Sequence, residues 1–133
     1  MKAIICAVAY IHEKAVIHRD LKTSNILIHD KTDLNSVKII DFGLGERQIL
    51  MKANDDATAG TLLYMAPEVV IKSEYTKSVD VWAIGIIMHI LLTGKHPFYI
   101  KGQDDSASFK IKLKNLQKVE PDQNLSWLAK NLF

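Results

Sequence analysis

Apolar residues recur at intervals of three and four through Ile4, Ile5, Val8 and Ile11. That spacing predicts one apolar helical face from Lys2 to about Glu13. The period then changes. Ile26, Leu27 and Ile28, and again Val37, Ile39 and Ile40, form short runs rich in β-branched residues, with a polar stretch at 30–36 between them. Two such runs around a loop read as a β-hairpin, with Asp41 directly after its second strand. From 43 to 60 the chain is polar and follows neither period, the mark of a functional or mobile segment. Ala66, Pro67, Glu68, Val69 and Val70 read as a short helix. A longer helix opens near Ser78 and runs through Val81, Trp82, Ile84, Ile86, Ile87, Met88, Ile90 and Leu91. Being apolar on every side, it is expected at the centre of the domain. Thr93 and Gly94 end it. A charged helix over about 106–118 follows, and another is expected to begin over 125–133. No repeat, low-complexity segment or linker interrupts the pattern, so the chain reads as one unit.

Composition narrows the class. With 133 residues, 48% hydrophobic and 24% charged, the chain has the balance of an ordinary folded domain. A formal charge of +2 gives no reason to expect nucleic acid or a membrane surface as partner. Lys110, Lys112, Lys114 and Lys118 alternate with Ile111, Leu113 and Leu116, which reads as the wet side of a helix. The most apolar run, 81–92, is too short to span a bilayer. Cys6 is the single cysteine, so no internal disulfide forms. It is expected to be a small buried hydrophobe in a reducing, cytoplasmic setting. His12, His29, His89 and His96 lack metal-ligand spacing, and Trp82 and Trp127 are expected in the core.

The chemistry-bearing residues cluster early. His18-Arg19-Asp20-Leu21-Lys22-Thr23-Ser24-Asn25 lies between the first helix and the hairpin; Asp41-Phe42-Gly43 and Ala66-Pro67-Glu68 follow in order. A polar turn alone would explain Asp20, Lys22 and Asn25 by local Asx-type bonding. The second acid 21 residues later, at a strand end, argues for more. Together the three strings resemble the catalytic loop, metal-binding loop and activation-segment end of eukaryotic protein kinases of the Ser/Thr type.

The resemblance covers essentially the whole chain, but only about half of that family's domain. It implies a mainly α fold: a partial kinase-like large lobe over 1–133, with the short hairpin beside the catalytic loop. The implied activity is transfer of the γ-phosphoryl group of ATP, with Mg2+, to a protein serine or threonine hydroxyl. In such a site Asp20 accepts the hydroxyl proton and Lys22 stabilises charge on the transferring group. Asn25 and Asp41 hold magnesium, whose preference is for oxygen ligands. Leu27 forms the floor under adenine. His18 and Phe42 belong to a hydrophobic column, and Asp80 hydrogen-bonds the catalytic-loop backbone or caps its own helix. Arg19 pairs with negative charge on the activation segment, where Thr58 is the candidate phosphosite and Asp55 and Asp56 are alternative acids. Lys22 and Thr61 favour Ser/Thr substrates.

The run from Asp80 to Phe98 looks most like the calcium/calmodulin-dependent group, which brings in calcium-dependent regulation through segments outside this chain. Basophilic relatives carry Glu where this chain has Ser24 and Ile90, so a preference for arginine just before the target residue is not expected. No Gly-rich loop, Lys-bearing strand or Glu-bearing helix precedes the catalytic loop, and the arginine that usually pairs with Glu68 lies beyond the chain. Glu68 is therefore expected to lack its buried partner, and the isolated chain to be inactive. The alternative is a truncated, non-catalytic binding or decoy module.

Overall fold

The computed structural model describes residues 1–42, 59–71 and 76–116, with 59 and 61 described by backbone only. In chain order the elements are α1 (Lys2–Glu13), a 3-10 turn (Thr23–Asn25), β1 (Ile26–Asp30), β2 (Asp33–Ile39), α2 (Ala59–Leu62), α3 (Pro67–Val70), α4 (Ser78–Thr93) and α5 (Ser106–Lys114). The expected helix at 125–133 and Trp127 lie outside the described residues.

Helix α1 buries Ile4 and Val8, four residues apart and so on one stripe. Ile5 and Cys6 lie outside that stripe: Ile5 is exposed, and so is Cys6, contrary to the expected burial. The helix ends in a Schellman arrangement. The Val16 amide donates to the Ile11 carbonyl at 2.9 Å and the Ala15 amide to that of His12 at 3.1 Å. Ala15 takes the left-handed position at φ 57°, where a Cβ is strained.

The hairpin is antiparallel, with Ile26 opposite Ile39 and Ile28 opposite Val37. Its strands reach further into the polar stretch than expected, pairing Asp30 with Asp33. Side chains make this affordable there. The Asp30 carboxylate accepts from the Thr32 amide at 2.8 Å and hydroxyl at 2.7 Å, closing the turn within two residues. Those bonds hold its pKa below the usual carboxylate value.

Ile4, Val8 and Leu21 meet Ala83 and Ile87 of α4, with Ile26, Val37 and Ile39 packed alongside. Ala66 and Val69 meet Val79, while Leu62 and Val70 pack on Phe109 and Leu113 of α5. Half-buried Trp82 touches both of the latter groups and stacks on Phe98 at 5.5 Å. Helix α4 thus joins all the layers, but not with its whole circumference buried. Val79, Ala83, Ile86 and Ile87 are buried, whereas Val81, Leu91 and Leu92 are exposed. The expectation of burial on every side is corrected: hydropathy does not say how many neighbours a helix has. Gly94, at φ 72°, ends α4 as expected. On α5, Ile111 faces outward while Phe109 and Leu113 face in, four residues apart. Asp105 caps α5, accepting from the Ser108 amide at 2.7 Å.

His96 ties the α4–α5 connection to residue 63. Its Nε2 bonds the Leu63 carbonyl at 2.8 Å, and its Nδ1 accepts from the Phe98 and Tyr99 amides at 3.1 and 2.9 Å. Burial, with a smaller contribution from His89, keeps its pKa below the ordinary 6.5; the Leu63 bond opposes this in part.

Two outcomes follow from these contacts. Ala15→Gly relieves the left-handed Cβ but loosens the unfolded chain, for a net gain of about 0.5–1 kcal/mol. Urea unfolding should show a higher midpoint at unchanged slope, and a lower midpoint would contradict this. For His96 the unfolded state takes up its proton first as pH falls below 6.5, so folding stability declines there. Thermal melts at pH 7.5 and 5.5 should therefore show a smaller acid loss in His96→Asn than in the wild type.

Candidate active site

The loop between α1 and β1 is organised by a carboxylate from α4. Asp80 is buried, 1% exposed, in the first turn of that helix. It does not cap its own helix, whose N-cap is Lys77 with no side-chain bond. Instead Oδ2 accepts from the His18 amide and Oδ1 from the Arg19 amide, each at 2.8 Å. His12, from the last turn of α1, reaches the same Oδ2 with Nε2 at 2.8 Å. The Lys77 ammonium bonds the His12 carbonyl, closing the group. Arg19 stands at φ 69°, a left-handed conformation that costs an L-residue about 1–2 kcal/mol. The bond from its amide to Asp80 is what holds that turn.

His18 carries the order onward. Fully buried, it accepts the Asp20 amide on Nδ1 at 3.3 Å, so its proton sits on Nε2, which donates to the Ile40 carbonyl at 2.9 Å. The Ile40 amide in turn donates to the Asn25 carbonyl at 3.0 Å. Ile40, the residue preceding Asp41, is thereby held through both its backbone amide and its carbonyl. Asp41 follows at φ 61°, exposed, and Phe42 turns its ring to His18 with centroids 4.8 Å apart.

Asp20 is 8% exposed, and the Lys22 ammonium lies 2.9 Å from its Oδ2. Asn25, 3% exposed, donates its side-chain amide to the Asp20 carbonyl at 2.9 Å. That bond commits the nitrogen and leaves the side-chain carbonyl oxygen as the group able to meet a cation. Among the described residues no cluster of three or more His, Cys, Asp or Glu gathers. The oxygens of Asn25 and Asp41 fit a cation that takes its other ligands from phosphates and water, as magnesium does. Asp20 and Leu21 line a cavity of about 20 Å³ with Arg19, Tyr64, Met65 and Ala66, which brings the segment before α3 against the loop.

Of the residues expected from the sequence, His18, Arg19, Asp20, Lys22, Asn25, Phe42 and Asp80 form one connected group, and Asp41 lies beside it in the chain. Leu27 stands on β1 opposite Lys38, with its side chain exposed. Glu68 is separate, on α3. It is half-buried and accepts from the Ser78 hydroxyl at 3.1 Å, so the expectation of an unpartnered buried carboxylate is corrected. Thr58, Asp55 and Asp56 lie outside the described residues, as does the side chain of Thr61. Sequence reasoning missed His12, whose place in the last turn of α1 was the available signal. It also missed the Thr23 hydroxyl, which meets the Tyr64 hydroxyl at 3.0 Å.

The protein kinase domain pattern matches residues 1–132. This chain belongs to the protein kinase family. It is 45% identical to calcium-dependent protein kinase 5 of Plasmodium berghei (strain Anka), over 79% of this chain and 18% of that protein. Identity to serine/threonine-protein kinase 33 of Mus musculus is 34%, over 100% of this chain and 32% of that one. Calcium/calmodulin-dependent protein kinase type II of Caenorhabditis briggsae is 41% identical over 77% of this chain and 19% of its own length. The chain thus spans a third or less of these curated relatives. Among the described residues, no helix of the kinase chain is long and apolar enough to cross a membrane.

In this kinase chain, Asp80→Asn puts an amide group where two backbone N–H donors and His12 now find a carboxylate. The expected loss is about 2–3 kcal/mol, the range for buried hydrogen bonds to a charged group. Chemical denaturation of the chain measures it. A change below ~0.5 kcal/mol would show that Asp80 does not organise the loop.

Proposed function

We propose that this chain is the large-lobe part of a protein serine/threonine kinase, transferring the γ-phosphoryl group of ATP to serine or threonine hydroxyls of protein substrates. One observation carries the reading. The buried Asp20 carboxylate, the Lys22 ammonium at 2.9 Å and Asn25 are held in one hydrogen-bonded group with Ile40, the residue before Asp41. A carboxylate at the mouth of such a group accepts the proton of an incoming hydroxyl as its oxygen attacks phosphorus. Lys22 neutralises charge spreading over the transferring oxygens, at the cost of little motion because its partner already fixes it. Asn25 and Asp41 would hold magnesium, which when bound shields the phosphate charge and aligns the phosphates.

Further parts of the reading rest on the relatives. One of their names supports Ser/Thr specificity, and two support control by calcium, which here would act through segments outside this chain. Arg19 beside Asp20 suits a switch in which negative charge on the activation segment, with Thr58 as its site, pairs with the guanidinium. A single cysteine suits a reducing, cytoplasmic location.

The test is phosphoryl transfer by the intact protein from Mg-ATP to Ser/Thr peptides. Asp20→Asn is expected to lower kcat by about 10²–10⁴-fold, the usual worth of a positioned base, with little change in ATP affinity. Removing magnesium with a chelator should stop transfer. Wild-type-like turnover by Asp20→Asn would sink the reading.

A further inference from the structure

The chain just before α3 meets the Asp20 loop. Tyr64, Met65 and Ala66 share a cavity wall with Arg19, Asp20 and Leu21. At the surface Tyr64 bonds Thr23, next to the Lys22 that pairs with Asp20, so a peptide offering its hydroxyl to Asp20 would pass beside this segment. Two bonds hold the segment from opposite sides. One is the exposed pair of Tyr64 and Thr23 hydroxyls at 3.0 Å. The other comes from His96, 33 residues away in sequence, whose Nε2 meets the Leu63 carbonyl at 2.8 Å.

His96 is itself rigidly placed. Two backbone amides, Phe98 and Tyr99, point at Nδ1 from 3.1 and 2.9 Å. Two donors on one nitrogen leave it as an acceptor only, so the proton must reside on Nε2 and be given to Leu63. The ring stands edge-on to Phe98, Tyr99 and Phe109, with centroids 6.2, 6.2 and 5.5 Å away. Phe109 is 1% exposed, in the core of α5. The imidazole is thus a strut. Its Nδ1 side belongs to its own loop, and its Nε2 side reaches across to the segment beside Asp20.

We propose that His96 is a positioning residue for the protein substrate, fixing residues 62–65 through the Leu63 carbonyl so that a peptide finds its docking surface already formed. The proposal rests on the kinase reading above. It separates the two nitrogens by role. Loss of the Nε2 bond costs substrate binding, because the docking segment must then be ordered by the peptide itself. Loss of the Nδ1 bonds loosens only the 96–99 turn.

Two substitutions divide these roles. In His96→Asn the side-chain oxygen can occupy the Nδ1 position, but the side chain is too short to reach Leu63. In His96→Gln the side-chain amide can reach Leu63, while the Nδ1 acceptor is lost. Steady-state transfer by the intact protein is measured for wild type and both variants, varying peptide and ATP separately, with thermal melts as a folding control. The expected result is a peptide KM raised about five- to tenfold in His96→Asn, the worth of one hydrogen bond of about 1–1.4 kcal/mol. ATP KM and kcat should stay within about twofold, and His96→Gln should restore peptide KM toward wild type. An unchanged peptide KM in His96→Asn overturns the proposal, as does a parallel rise in both KM values. No transfer by the wild-type protein overturns the kinase reading, and this proposal with it.

Discussion

The Asp80 carboxylate is the constraint on which the site depends. It is a buried charge, and a buried charge is costly unless hydrogen bonds replace its hydration. Here the replacements are the amides of His18 and Arg19 and the His12 imidazole. The loop needs the carboxylate as much as the carboxylate needs the loop. With Arg19 left-handed at φ 69°, its amide points inward, where no backbone acceptor of a helix or sheet is offered. Helix α4 therefore supports the core through Ala83 and Ile87 and the loop through Asp80, so packing and chemistry share one rigid element.

From that anchor, order passes along a chain of neutral hydrogen bonds. His18 joins the loop to the Ile40 carbonyl, Asn25 accepts the Ile40 amide, and the Asn25 side chain returns to the Asp20 carbonyl. The hairpin supplies the geometry for this circuit, since its register brings Ile39 opposite Ile26, directly after Asn25. Asp41 emerges where the pairing ends. The Asp41 carboxylate is thus placed by backbone bonds of its neighbour, while its own side chain stays exposed.

Much of this arrangement was legible beforehand. Local signals marked α1, the hairpin, the short helix at Pro67 and the Gly94 stop, because periodicity and turn chemistry act within a few residues. The kinase-like strings named most of the residues that the fold gathers into one group. The errors share a cause. Ile5, Cys6 and Val81 are apolar like their buried neighbours, yet each lies exposed on its helix. The bond between Glu68 and Ser78 was likewise invisible, since it joins residues on two different elements.

Sequence alone determined the kinase family and, apart from α2 and the short 3-10 turn, the order of the described elements. Each of these is carried by residue type and short-range spacing. Tertiary structure decided that Asp80 serves the loop instead of capping its own helix, that His12 joins it, and that His96 reaches Leu63. Those pairings lie 33 to 68 residues apart in the chain, where nothing but the packing of α1, α4 and the α4–α5 connection brings donor and acceptor within 3 Å.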